Sequence, residues 1–161
     1  MTANKKDLRV FMRESAKTEE IVTAPGPDTI LGEDGKPVTL EIKVLSSATI
    51  QKINDNYKKR AIAVDKKGNP IVANGEVVFR SEKDNIKASM HILVEALVYP
   101  DLKDPDLMAF YECRDITEMP FKVFPRSDEF AHVNRVVMAA LGLGNEVTRE
   151  DKEETLDDIK N

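Results

Sequence analysis

The sequence predicts a predominantly helical α+β fold: a compact helical core with one or two small β-hairpins, an extended N-terminal arm and an acidic C-terminal tail. Three observations carry this expectation. Residues 84–99 form an apolar helix with almost no polar face, Val38, Leu40, Ile42 and Val44 alternate with Thr39, Glu41 and Lys43, and residues 146–161 turn strongly acidic. Three segments are expected: residues 1–34 as a helix and arm, 35–143 as one globular domain, and 144–161 as the tail.

Between Lys5 and Ala16, the anchors Leu8, Phe11 and Met12 fall at i, i+3 and i+4, which predicts a short amphipathic helix. Such a helix is marginal alone and must dock on its own chain or a neighbour. Pro25, Gly26, Pro27 and Gly32 then favour an extended arm. Asp34-Gly35 suits a tight hairpin turn, and the alternating run after it is the clearest strand. Ser46 or Ser47 caps the next helix, with Ile50, Ile53 and Tyr57 on its inner face.

The turn signals Lys67-Gly68-Asn69 and Asn74-Gly75 separate short strands at residues 62–64, 70–73 and 77–80, a small meander or projecting flap. A helix from Ser81 or Asp84 follows, with Ile86, Met90, Leu93 and Leu97 as its stripe. Pro100 stops it by pushing the preceding residue out of the α region. Asp104 and Pro105 restart a helix as N-cap and N1. Thr117 caps a short turn ended by Pro125. Ser127 or Asp128 caps a helix with Phe130, Val133, Val137, Ala140 and Leu141 inward and Gly142 at its C-terminal cap.

Charged residues make up 33% of the 161-residue chain and apolar residues 41%, ordinary values for a soluble domain. No apolar run approaches a membrane span or a signal peptide, and the single Cys113 forms no internal disulfide, so the expected location is the cytoplasm. The net charge of −5 opposes nonspecific nucleic-acid binding. The basic bias of Lys58, Lys59, Arg60, Lys66, Lys67, Arg80, Lys83 and Lys87 reads as solvated loop charge, since only Tyr57 and Phe79 lie nearby as aromatics.

No catalytic motif emerges. Cys113 with His91 or His132 lacks the electropositive setting a thiolate needs. Asp101, Asp104, Asp106 and Glu112 have the reach of a calcium loop, but Lys103 and Pro105 occupy ligand positions and Asp106 stands where glycine must turn the chain. The expectation is a binding protein with no enzyme activity, no cofactor and no metal.

GKPVTLEIKVLSS at 35–47, LVYPDLKDPDLMAFYEC at 97–113 and FAHVNRVVMAALGL at 130–143 together resemble the XkdN-like tail assembly chaperones of phages and prophages. The resemblance runs from Gly35 to Leu143 in the same order. It implies a cytoplasmic assembly factor that binds the tape measure protein, keeps it soluble and helps recruit tail tube subunits; a homo-oligomer in which the arm from Glu19 to Gly32 reaches a neighbour is a separate expectation. It transfers no site residue. The residues themselves nominate Phe11, Met12, Leu107, Met108, Phe110, Tyr111, Phe121 and Phe124 as partner-binding anchors, because a chaperone must accept an apolar helix on exposed groups or grooves. The alternative is a structural tail or adaptor protein retained in the particle; a nucleic-acid-binding regulator is a distant third.

Overall fold

The structure, a computed structural model, describes residues 7–13 and 20–143. The order of elements is β1 (Ile21–Pro25), β2 (Thr39–Lys43), α1 (Ser47–Asn56), β3 (Lys58–Ile62), β4 (Val72–Ala73), β5 (Glu76–Val77), β6 (Phe79–Lys83), α2 (Asn85–Ala96), β7 (Leu97–Tyr99), α3 (Pro105–Phe110), α4 (Met119–Val123) and α5 (Ser127–Ala140). A 3₁₀ turn, Arg9–Phe11, precedes them.

The expectation of a predominantly helical fold is corrected. Among the described residues the chain is 38% helical and 24% strand with three small sheets, a mixed α/β architecture. The missed strands have physical reasons. The segment read as an arm carries β1, which pairs antiparallel with β2 from Ile21↔Lys43 to Pro25↔Thr39. Its Pro-Gly-Pro run hides it, yet proline is tolerated because β1 is the edge of the sheet ordered β1-β2-β7. β7 continues the apolar run of the helix without a break, so the sequence alone extends that helix to Tyr99. The helix ends at Ala96, and Leu97 already pairs with Ile42 of β2.

Of the expected N-terminal helix only the Arg9–Phe11 turn lies within the described residues, and Leu8, Phe11 and Met12 are all exposed there. The acidic tail lies outside the described residues. The local signals fared better. The Oγ of Ser46 accepts from the Thr49 amide at 3.1 Å, Asp84 from Lys87 at 3.1 Å and Asp104 from Leu107 at 2.9 Å. The turn at Asn74-Gly75 has positive φ at both residues, as a two-residue hairpin requires. The cap of α5 is different: Arg126 is its N-cap without a side-chain bond, and Ser127 begins the helix. Thr117 donates to Asp115 and is not itself a cap acceptor; its amide and hydroxyl reach Oδ1 at 2.9 and 2.7 Å and hold that carboxyl below its ordinary range.

The core forms where α2 meets the sheet and the other helices. Leu40 and Ile42 of β2, Ile53 of α1, Met90, Ile92, Leu93 and Val94 of α2, Leu102, Met119, Val133 and Val137 share one buried cluster. α2 packs on α1, α4, α5 and the sheet. Its inward set is wider than the predicted stripe, taking in Ala88, Ile92, Val94 and Ala96, and shorter at both ends: Ile86 is exposed and Leu97 has left the helix. Two long-range polar contacts tie the β1–β2 connection to α5. Thr29 Oγ1 donates to Glu129 Oε1 at 2.6 Å, and His132 Nε2–H donates to the Pro25 carbonyl at 2.9 Å.

A second network joins the end of α1, α2 and the loop before α3. Tyr57 O–H lies 2.8 Å from His91 Nδ1, His91 Nε2 lies 3.4 Å from Glu95, and Lys103 Nζ donates to both Glu95 oxygens at 3.1 and 3.2 Å. A proton on His91 Nε2 satisfies every partner, with Tyr57 as donor to Nδ1. Partial burial pushes the Glu95 carboxyl up, but Lys103 and His91 outweigh it, and the net shift is downward.

Residues 58–83 stand apart from this core. β3 and β6 form a stem, paired from Lys58↔Lys83 to Ile62↔Phe79. At the far end Ala63 bonds both Val78 and Ile71, splitting the ribbon into two small turns, one closed at Val64↔Pro70 and one formed by β4 and β5. Nearly every residue of the ribbon is exposed on both faces.

Two outcomes are expected. Leu93→Ala, at a fully buried position, should cost about 2–5 kcal/mol in urea unfolding, whereas Ile86→Ala should stay within about 0.5 kcal/mol. Glu95 binds a proton less readily folded than unfolded, so its contribution is present above the ordinary carboxylate range and lost as pH falls through its lowered folded value. Glu95→Gln should therefore lower the urea midpoint at pH 7, with the gap to the parent closing towards pH 3.

Candidate partner-binding surfaces

The six-residue helix α3 is fixed by the Asp104 cap and Pro105 at its start. Leu107, Met108 and Tyr111 lean partly buried against the core. Phe110, on the opposite side, is 77% exposed, its ring edge-on to Tyr111 with centroids 4.9 Å apart. The helix closes at Glu112, whose φ is +49°, and the Cys113 amide returns to the Met108 carbonyl at 3.0 Å. α3 thus presents an aromatic side chain from a tightly anchored base.

α4 sorts its residues similarly. Met119 and Pro120 are buried, and Phe124, only 3% exposed, belongs to the core. Phe121 is 48% exposed and stacks on Phe130 of α5, with centroids 5.0 Å apart and planes 19° apart. The helix period explains the difference: Pro120 and Phe124 are four apart and share the inward face, while Phe121 is turned away. At the other end of the chain, Phe11 and Met12 are exposed beside the equally exposed Leu8 and Val10.

Sequence reasoning singled out the flap's charge and named none of its residues as anchors. The structure gives it six exposed apolar side chains: Ile62, Val64, Ile71, Val72, Val77 and Phe79. The Arg60 guanidinium lies 4.0 Å from the centre of the Phe79 ring, a cation–π contact. A depression of about 510 Å³ is lined by Lys58, Lys59, Arg60, Phe79 and Arg80 among others. The signal that was available is the pairing of blocks: the basic run Lys58–Arg60 leads into the apolar run Ala61–Val64, and the apolar run Val77–Phe79 leads into Arg80 and Lys83.

The titratable groups considered for chemistry have structural partners. The buried Cys113 thiol donates to the Asp115 carbonyl at 3.1 Å, while His91 and His132 hold the contacts described above. Asp101 accepts from the Lys103 amide at 3.0 Å, and Asp104 caps α3. Among the described residues, no group of three or more His, Cys, Asp or Glu side chains is poised to hold a metal ion, and no helix is long and apolar enough to cross a membrane. The surface available for function consists of apolar anchors and charge.

The crystal structure of the protein yqbn is similar to this fold, with a TM-score of 0.62 and 20% sequence identity over 86% of this chain and 98% of that one. No curated protein matches the sequence. A sequence model described as phage XkdN-like tail assembly chaperone protein matches residues 8–160. That match takes in the sheet, the core helices, α3 and the basic ribbon together, and the chain belongs to the phage XkdN-like tail assembly chaperone family.

Proposed function

We propose that this chain is the cytoplasmic chaperone that binds the tape measure protein of a phage tail, keeps that long helical protein soluble and helps recruit tail tube subunits. It works by binding, without catalysis. The observation that carries the reading is Phe110, a large aromatic side chain held out in solvent by a helix whose other face is anchored to the core. Monomeric proteins scatter single apolar residues, but a rigid aromatic beside a second one, Tyr111, makes an anchor of the kind that dominates binding energy. Phe121, stacked on Phe130, is a second such anchor. Leu107 and Met108 supply adaptable apolar area at the base of the first, which suits a client helix of varied sequence.

Self-association is part of the same reading, with Leu8, Phe11 and Met12 as the contact to a neighbouring copy.

Coexpression with the tape measure should give a soluble, copurifying pair. Phe110→Asp combined with Phe121→Asp should reduce the recovered complex about tenfold or more while leaving the thermal midpoint near that of the parent. An unchanged tape measure solubility with nothing copurifying would sink the reading. Light scattering should show a mass that rises with concentration and falls back for Phe11→Asp; a monomer at every concentration counts against self-association.

A further inference from the structure

The β3–β6 ribbon is exposed on both faces, and the two faces differ in charge. Residues directly opposite one another in an antiparallel pair share a face, and successive residues alternate between faces. The register therefore puts Lys59, Glu82, Ala61 and Arg80 on one face, and Lys58, Lys83, Arg60, Ser81, Ile62 and Phe79 on the other. The first face balances its own charge: Arg80 pairs with Glu82 at 3.0 Å, and Lys59 pairs at 3.7 Å with Asp84, just past the strand. The second face has no carboxylate among its own residues. Its Lys58 and Lys83 stand directly opposite each other, an unfavourable arrangement for like charges. Asp55, at the end of α1, pairs with Lys58 at 3.0 Å and feels Lys83 only from farther off. Arg60 has no carboxylate partner among the described residues; its guanidinium lies over the Phe79 ring instead.

Cations occupy the base of this second face and apolar groups its far end, where Ile62 and Phe79 pair across the strands and are both exposed. The depression of about 510 Å³ runs along it, bounded by Lys58, Arg60, Phe79 and Ser81 among others. We propose that this face docks an acidic segment of a partner protein, one in which carboxylates are followed by an apolar side chain. The carboxylates pair with Arg60 and Lys83 and relieve the Lys58–Lys83 repulsion, while the apolar side chain covers Phe79 and Ile62. Arg60 is preorganised for this role. Its guanidinium is already held over a ring, so less freedom is lost when a carboxylate takes its fork of N–H donors. A nucleic-acid strand fits the face less well, because base stacking needs an open aromatic face. Arg60 covers one side of Phe79, and the nearby Tyr57 is engaged edge-on with His91. The inference is independent of the tape measure reading, which rests on α3 and α4.

The test is fluorescence anisotropy of the full chain with a fluorescein-labelled peptide that carries a block of glutamates followed by phenylalanine and leucine. The parent protein should bind it, and Arg60→Gln combined with Lys83→Gln should weaken binding about tenfold or more. Lys66→Gln combined with Lys67→Gln removes the same charge from the turn beyond the face, and should change affinity by less than about twofold. A peptide with lysines in place of the glutamates, and another with serines in place of the apolar pair, should each bind several-fold more weakly. In isotope-labelled parent protein the peptide should shift the amide signals of residues 58–62 and 79–83 most, a readout that depends on no variant. An absence of binding up to about 1 mM peptide overturns the proposal. So do equal losses from the two variant pairs, equal binding of either altered peptide, or shifts centred on another part of the chain. Tighter binding of a single-stranded oligouridylate than of the peptide also overturns it, since the face then serves a nucleic acid.

Discussion

The fold depends on burying α2. Its residues Ala88, Met90, Ile92, Leu93, Val94 and Ala96 are inward, and Leu93, Val94 and Ala96 are completely so. A helix apolar on most sides needs cover on most sides. That cover comes from the sheet through Leu40 and Ile42, from α1 through Ile53, from α4 and its neighbour Phe124, and from α5 through Val133 and Val137. β2 supplies a sheet face on one side of α2, and α1, α4 and α5 cover the remaining sides. Leu97 then leaves the helix and closes the sheet as β7, so one apolar run serves both layers.

Polar contacts align this packing and contribute less to driving it. Thr29 with Glu129 and His132 with the Pro25 carbonyl hold the β1–β2 connection against α5. The Tyr57–His91–Glu95–Lys103 chain locks the base of the ribbon to α2 and to the loop that leads into α3. Among the described residues no buried side-chain polar atom lacks a partner. The large apolar side chains left in solvent include Phe110, Phe121, those of the N-terminal turn and those of the basic ribbon.

What was legible in the sequence was local. The caps at Ser46, Asp84 and Asp104, the turn at Asn74-Gly75, the glycine end of α5 at Gly142 and the alternating strand β2 were all read from neighbouring residues, because the chemistry that makes them spans only a few positions. Phe110, Phe11 and Met12 are exposed while Phe124 lies in the core, a difference set by what packs against each of them. The ribbon is legible in the sequence as short strands, turns and charge, while the exposure of its apolar side chains is a property of the folded chain.

The sequence by itself determined where helices start, where turns fall and that the long apolar segment would be the centre. Only the tertiary structure decided the proportion of strand to helix, because β1, β3, β6 and β7 are strands by virtue of the chain they meet across the sheet. Short strands at 62–64 and 77–80 are legible from the turn signals between them, but the stem that runs back through Lys58–Ile62 and on through Phe79–Lys83 is made by the pairing of the two strands. The same reason governs the surface. Whether an aromatic becomes an anchor or a core residue depends on which side of its helix another element covers, and that is a property of the assembled fold.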